Sequence, residues 1–383
     1  MRKIKKIAYI SGTRADFGLI TPVLKAIKKS EFLKLKIYTT GVHLMPELGK
    51  TAKYVTSEFP KTEPIQAIFG MGSNSDTVQF VADFIKELTV KFRKDRPDLV
   101  LIQGDRPETL ATALACTYLR IPMAHTHGGD KSGTVDDMAR HAITKLSHIH
   151  FPATKEAAER IKKMGEENWR IHVVGAPAID VMLNEKLPSR KEVFKKLAID
   201  SNGKFILLIQ HPVSEEVDRA GEQMSTTIEA VKKFNLPVVV IYPHPDEGGS
   251  QIIWAINKER SNPLFHIYPS FDHKYFLAIE REAVVWIGNS SGAMIESPSF
   301  KTPVVNIGTR QAGRQCGENV INVGHDKNEI FRAINKSLND KKYLAKLAKI
   351  KNPWGDGKTG PRVAKILENI NIDDRLLTKK ITY

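Results

Sequence analysis

The chain has 383 residues, of which 41% are apolar and 26% charged, and it carries a formal net charge of +15. Its length allows two domains with sizeable cores, and no apolar run approaches the ~18 residues that would cross a bilayer. Two cysteines, Cys116 and Cys316, lie far apart without CxxC or Cys/His spacing, which excludes a disulfide scaffold and a zinc-finger type of site.

Residues 1–6 are basic, like the start of a signal peptide, but the apolar run at 7–11 is too short for a leader and passes straight into Arg14 and Asp16. A cytoplasmic protein is expected. From there strands and helices alternate. Residues 7–11 read as a strand, 12–18 (GTRADFG) as a turn, 19–29 as a helix and 35–40 as the next strand. Residues 76–92 read as a long amphipathic helix with Val78, Val81, Ile85, Leu88 and Phe92 on one face and Asn74 and Ser75 as cap candidates. Strands at 99–103, 122–125 and 149–153 then alternate with helices at 108–119 and 137–146. The pattern breaks at 175–190, where Pro177 and Pro188 interrupt it, and a second series follows. Its strands fall at 205–210, 238–242, 265–268, 283–288 and 303–307, and its helices at 221–234, 251–260, 271–279 and 292–300.

Such alternation predicts an α/β protein with parallel sheets in two Rossmann-like domains. The boundaries are read as 1–178 for the first domain, 179–190 for a linker and 191–359 for the second. A helix and tail at 360–383 are expected to pack back on the first domain.

In parallel sheets ligands bind beyond the carboxyl ends of the strands, at the topological switch point. The densest collection of charge at such ends is in 99–143. Asp105 and Arg106 follow the strand at 99–103; spacing alone favours Asp105 as a helix cap, with Pro107 at the first helical position. His125 and His127 would share a face if their strand continued, and with Asp130 they look like a metal-ligand cluster. Hydrogen-bonded imidazoles beside a Gly-Gly turn are the favoured alternative, and no metal is expected. Asp136, Asp137, Arg140 and His141 open the next helix, where acidic residues also suit the helix dipole.

The turn at 12–18 lacks GxGxxG, which argues against a dinucleotide, yet Arg14 at a helix start suits an anion. His211 ends the first strand of the second domain. Ser290, Ser291 and Gly292 join a strand to a helix, offering N–H groups and hydroxyls to a phosphate, with Glu296 one turn on as an acceptor for ribose hydroxyls; a serine-capped helix is the plain alternative. Arg310 and Arg314 lie in a loop after the strand at 303–307, suited to bidentate binding of phosphate or carboxylate. The excess lysine at 186–204 and 336–351 is mixed with apolar residues. It reads as a solvated surface, with no nucleic-acid-binding signature beside it.

The strings GTRADFG, GDRxE, HxxGGD, SGTxDDxxRHAITKLSH, QHP, GNSSGxxxE and GTRQxGRxxGENV, in this order from 12 to 320, resemble the hydrolysing UDP-N-acetylglucosamine 2-epimerases. These include bacterial sialic-acid enzymes and the epimerase half of the animal bifunctional enzyme. The resemblance implies a GT-B fold with an interdomain active-site cleft. It implies that UDP-N-acetylglucosamine and water give N-acetylmannosamine and UDP, by elimination across C1–C2 followed by hydration. Neither redox cofactor nor catalytic metal is implied, and homodimers or homotetramers are. Carried over by motif, Asp105, Asp130 and one of Asp136 or Asp137, with Asp137 favoured, are the acid/base groups. His211 acts on or orients the leaving phosphate or the sugar. Arg14 and Arg106 contact phosphate or hold carboxylates. Ser290, Ser291, Gly292 and Glu296 take the diphosphate and ribose, with Arg310 and Arg314 nearby. Asp130 stands where relatives commonly carry Glu, one methylene longer, so either the carboxylate or the sugar is placed differently. The alternatives are the same chemistry on a UDP- or GDP-linked 2,4-diacetamido sugar, a non-hydrolysing epimerase, a GT-B glycosyltransferase and a non-catalytic basic binding protein.

Overall fold

The computed structural model describes residues 4–46, 50–67, 74–131, 136–200, 202–243 and 248–383. The chain forms two compact units, Met1–Asn184 with Trp354–Tyr383, and Glu185–Pro353.

In the first unit six parallel strands, β1 (Lys5–Ser11), β2 (Leu33–Thr39), β3 (Glu63–Pro64), β4 (Leu99–Gln103), β5 (Met123–Thr126) and β6 (Ile149–Phe151), lie in the order β3-β2-β1-β4-β5-β6. Alternate residues leave a strand on opposite faces. Ile7, Tyr9, Leu99 and Leu101 therefore join one core with the helices Arg14–Lys29 and Thr359–Asn369. Ala8, Ile10, Val100 and Ile102 join a second with Asn74–Lys94 and Pro107–Tyr118. Burial on both faces is why these strands read as unbroken apolar runs.

The C-terminal segment belongs to this unit from Trp354 onward, so residues 354–359, expected with the second domain, lie in the first. Asp180 accepts from the amides of Thr359 and Gly360 at 2.8 and 2.7 Å, capping the helix Thr359–Asn369 from a remote part of the chain. Arg170, buried, donates to the carbonyls of Arg375, Leu376 and Thr378. Residues 179–184 of the expected linker lie within the helix Pro177–Asn184, whose Ile179 and Met182 are buried. Pro177 opens that helix, where a missing N–H leaves no bond unmade, rather than breaking the chain.

The second unit repeats the plan with β7 (Ile206–Ile209), β8 (Val238–Ile241), β9 (Phe265–Tyr268), β10 (Val285–Gly288), β11 (Val304–Ile307) and β12 (Val320–Val323), in the order β12-β11-β10-β7-β8-β9. Ile206, Leu208, Val285 and Ile287 face one core, Leu207, Ile209 and Trp286 the other. Both units are thus Rossmann-like α/β domains, the pair that makes up a GT-B fold, each with its first and fourth strands adjacent at a switch point. The helix expected at 292–300 is two, Ser291–Ile295 and Ser297–Phe300, meeting at Glu296. Pro298 removes a backbone donor and crowds the preceding turn. Among the described residues no helix is long and apolar enough to cross a membrane.

Candidate active site

The carboxyl ends of β4 and β5 carry the first group of expected residues. Arg106, not Asp105, takes the cap position of the helix Pro107–Tyr118, and it makes no side-chain cap bond. Asp105 instead pairs with Arg140, 35 residues further on in the helix Asp136–Leu146. The local spacing that favoured a cap is overridden by a distant charge. Arg140 Nε also lies 3.5 Å from Asp137 Oδ1, and its Nη1 donates to the His127 carbonyl at 3.3 Å. The guanidinium side chain is 9% exposed and the Asp105 and Asp137 side chains 21% and 20%, so a covered cation bonds Asp105 and lies at ion-pair distance from Asp137, both carboxylates still meeting solvent. The side chain of Asp136 and residues 132–135, which include part of the SGT string, lie outside the described residues, as do the side chains of Asn74 and Ser75.

His125 and His127 part company. His125 is buried, and its Nε2 lies 2.8 Å from the Gly104 carbonyl; burial pushes its pKa down to about 3, so the ring is neutral. The strand ends at Thr126, and His127 has a left-handed backbone with φ of 61°. That turn breaks the alternation that would have put both rings on one face and undoes the metal-like grouping. His127 Nδ1 lies 2.8 Å from Asp130 Oδ2, while Asp130 Oδ1 is buried with no partner among the described residues.

At the switch point between β1 and β4 sits a network that motif reading passed over. The Tyr9 hydroxyl reaches both Asp16 oxygens at 2.8 and 2.7 Å, Ser11 Oγ donates to Oδ2 at 3.2 Å, and Gln103 Nε2 donates to Oδ1 at 3.1 Å. Behind Ser11, His43 Nε2 lies 3.0 Å from Oγ, and Thr51 completes the chain at His43 Nδ1. Burial pushes Asp16 up to about 7; Glu108's charge adds to this, while bonds from Tyr9 and Ser11 and the charge of Arg106 oppose it. Glu108 is buried and takes Arg106 Nε at 2.5 Å, so Arg106 holds a carboxylate of its own unit. Arg14 opens its helix behind the Thr13 cap and lies over the Tyr54 ring at 4.4 Å. An acid three residues after a capping Thr is the only trace of the Asp16 network in the sequence, and it reads as ordinary helix chemistry.

In the second unit the corresponding ends are those of β7 and β10. Gly288 has φ of 125°, and a Cβ there would run into the Ile209 carbonyl. This lets the two strand ends close up, so that Asn289 brackets His211: Oδ1 accepts from His211 N at 2.7 Å and Nδ2 donates to His211 O at 2.9 Å. Ser290 stands at the cap of the helix Ser291–Ile295 but makes no side-chain cap bond, so the plain serine-cap reading does not hold. Arg310 Nη1 and Gln311 Nε2 both donate to the Asn289 carbonyl, at 3.1 and 3.0 Å, and Arg314 Nη1 donates to Gln311 Oε1 at 3.2 Å. Asn289 and Gln311, which organise this edge, were not singled out by sequence; an amide among glycines and serines gives no periodic signal. His211, Ser290, Arg310 and the covered side of Glu296 thus gather about one edge, hydroxyl- and guanidinium-rich where the first unit is carboxylate-rich.

Residues 25–368 match the family described as UDP-N-acetylglucosamine 2-epimerase. A hydrolyzing UDP-N,N′-diacetylbacillosamine 2-epimerase of Legionella pneumophila is 37% identical over 381 residues, spanning 99% of this chain and 100% of that protein. A UDP-N-acetylglucosamine 2-epimerase of Neisseria meningitidis is 33% identical, over 96% of this chain and 95% of its own. Among solved structures, UDP-GlcNAc 2-epimerase from Neisseria meningitidis bound to UDP-GlcNAc superposes with a TM-score of 0.75 at 20% identity, covering 94% of this chain and 99% of that one, a likeness of fold.

Proposed function

This chain belongs to the UDP-N-acetylglucosamine 2-epimerase family, and from that premise we propose that it is a hydrolysing 2-epimerase, turning a UDP-linked 2-acetamido sugar and water into UDP and the free sugar inverted at C2. The observation that carries the reading is the grouping about Arg140, one covered guanidinium bonded to Asp105 and at ion-pair distance from Asp137 at the sheet edge, with Asp130 oriented separately by His127. Inversion through elimination needs two acid/base groups. One carboxylate takes the C2 proton as the C1–O bond to UDP breaks and the C1–C2 double bond forms. Water then adds at C1, and a second group returns a proton to C2 from the other face. Asp105 and Asp137 with Asp130 supply those groups. Arg106 acts on the sugar side through Glu108.

His211 and Arg14 attend the departing phosphate. Ser290, Ser291, Gly292, Arg310 and Arg314 hold the diphosphate, stabilising the charge that grows on the leaving group, and Glu296 accepts from the ribose. The chemistry calls on no redox cofactor or catalytic metal. The enzyme is read as cytoplasmic and homo-oligomeric.

For the sugar we give first place to a 2,4-diacetamido-2,4,6-trideoxyhexose. The relative at 37% identity bears the name of such a donor, and Asp130, a methylene shorter than Glu, fits a sugar seated differently. UDP-N-acetylglucosamine is the second reading, favoured by the relative at 33%. Proton NMR of each donor with the enzyme in D₂O tests both. Free 2-epimeric sugar bearing deuterium at C2, together with UDP, is expected, with the diacetamido donor turned over faster. A UDP-linked epimer as sole product would make the enzyme non-hydrolysing, and UDP release that requires an added acceptor would make it a glycosyltransferase.

A further inference from the structure

The second unit holds a carboxyl pair of which only one member has a role so far. Glu280, in the helix His273–Glu282, is fully buried, and neither of its carboxylate oxygens meets a donor among the described residues. Against it lies Glu296, whose Oε2 is likewise enclosed without a donor. The Glu296 carboxylate folds back over Gly292: a Cβ there would come within 2.8 Å of Oε2 and 3.1 Å of the buried Trp286 ring. Only glycine leaves that carboxylate its place. The turn that carries Glu296 is tied to Glu280 by backbone as well. Thr302 Oγ1 donates to the Glu280 carbonyl at 2.9 Å, and Asn319 Nδ2 binds both Ser297 Oγ and the Thr302 carbonyl at 2.7 Å.

Two ionised carboxylates cannot share so dry a spot. Three acceptor oxygens would go without a donor, and two like charges would face each other out of water. One proton repairs both faults, because a neutral Glu280 is itself the missing donor. We propose that Glu280 is a positioning residue for nucleotide recognition, a neutral acid that donates to Glu296 and holds that carboxylate over Gly292 to accept from the hydroxyls of a ribose. Of the titratable groups around it, Glu296 is the one whose charge acts on Glu280; burial first, and that charge second, push the Glu280 carboxyl well above its ordinary range. The inference rests on the reading of Glu296 as the ribose acceptor given above.

The test is calorimetric titration of UDP and 2′-deoxy-UDP into the full chain and its variants. Wild type should prefer UDP by about tenfold, the contrast expected when a charged acceptor loses a hydroxyl donor. Glu280→Gln, which keeps the shape and the donor of the neutral acid, should retain both the affinity and the preference. Glu280→Ala should lose about tenfold for UDP and bring the two ligands level. Glu296→Ala separates the two ideas. Unchanged UDP affinity in Glu296→Ala would remove the ribose reading itself. A weakened Glu296→Ala beside a Glu280→Ala that keeps wild-type affinity and preference would overturn the positioning role alone. Infrared spectroscopy at pH 7 gives a readout independent of binding and of the alanine variant's folding. The difference spectrum of wild type minus Glu280→Gln should show the carbonyl stretch of one protonated carboxylic acid, Asp16 contributing equally to both proteins, and a flat difference in that region would overturn the proposal.

Discussion

The two units share a strand order and a switch point, yet their open edges are dressed in opposite ways. Beyond β1, β4 and β5 the functional groups are carboxylates, and the protein supplies their partners: Asp105 and Asp137 share Arg140, Glu108 takes Arg106, and Asp16 gathers Tyr9, Ser11 and Gln103. Beyond β7 and β10 the groups are neutral or cationic but for Glu296, whose carboxylate lies over Gly292. Asn289 ties the loops together, while the Ser290 hydroxyl is kept out of the local capping job it stands ready for. One scaffold therefore serves two purposes. On the proposed function, partners fix the geometry where a proton must go to and from a defined atom, and donors are left without a helix to cap where an anion must be received. Fold alone says nothing of this division, which the loops decide.

The sharpest way to break the comparison is Asp105→Asn. The amide keeps the shape, but Arg140 loses one of its two carboxylates and the sugar loses a base. Turnover, followed by UDP release, should fall about 10³-fold, within the range for a positioned acid/base group. UDP affinity by calorimetry should stay within about twofold, since the nucleotide is assigned, Arg14 apart, to the other unit. A loss of UDP affinity as large as the loss of turnover would refute the division of labour.

Asp16→Asn tests the same edge through stability. In the folded chain the carboxyl titrates near 7, against an ordinary value of 3.8. Between those values the folded state holds a proton that the unfolded state has lost, so stability falls as pH rises from about 4 to 7 and is flat beyond. The penalty should be about 2 kcal/mol, allowing for solvent that still reaches the side chain. Wild type should melt lower at pH 8 than at pH 5 by more than Asp16→Asn does. Parallel profiles for the two proteins would mean that Asp16 is ionised throughout.

How much of this could be read from the sequence follows from the range of the forces involved. Buried parallel strands announce themselves as unbroken apolar runs ending in charge, so β1, β4, β7 and β10 and the two α/β domains were legible. The edge strands β3 and β12 were not, because β3 is two residues, one a proline, and neither carries a long apolar run. Asp105 was identified, but its role as a cap was misread, since its partner is 35 residues away. His125 and His127 share a face only if their strand continues, and the positive φ at His127 that follows its end leaves no mark in a pattern of types; the favoured reading, hydrogen-bonded imidazoles, is what the rings show. Asp16, Glu280 and Asn289 were passed over for one shared reason. Each matters through contacts with other strands or turns, and nearby residue types give no hint of them.

On the second edge, Arg310→Ala removes a guanidinium bonded to the Asn289 carbonyl. UDP should bind about tenfold more weakly, the usual worth of one hydrogen bond to a charged group at its low end. Turnover at saturating substrate should change by less than about threefold, the mirror image of Asp105→Asn. A turnover loss that survives saturation would place Arg310 in the chemistry and blur the contrast between the edges.

The smallest expected effect isolates the contrast at a single atom. Thr13 and Ser290 hold the same position, the cap between a strand end and a helix. Thr13 Oγ1 accepts from Asp16 N at 3.2 Å, whereas Ser290 makes no such bond. Thr13→Ala should therefore cost about 1 kcal/mol of stability, the normal worth of a cap. Ser290→Ala should cost less than about 0.5 kcal/mol, the low end of a cap's worth, because its hydroxyl makes no cap bond, yet weaken UDP several-fold by removing a phosphate donor. Urea unfolding beside UDP titration of both variants reads the two quantities on one pair of proteins. A hydroxyl that caps does its work in the folded chain alone; one that is withheld from capping does its work only when the ligand arrives. If Ser290→Ala lost stability like Thr13→Ala and bound UDP unchanged, the second edge would be a plain helix start, and the difference between the units would shrink to their carboxylates.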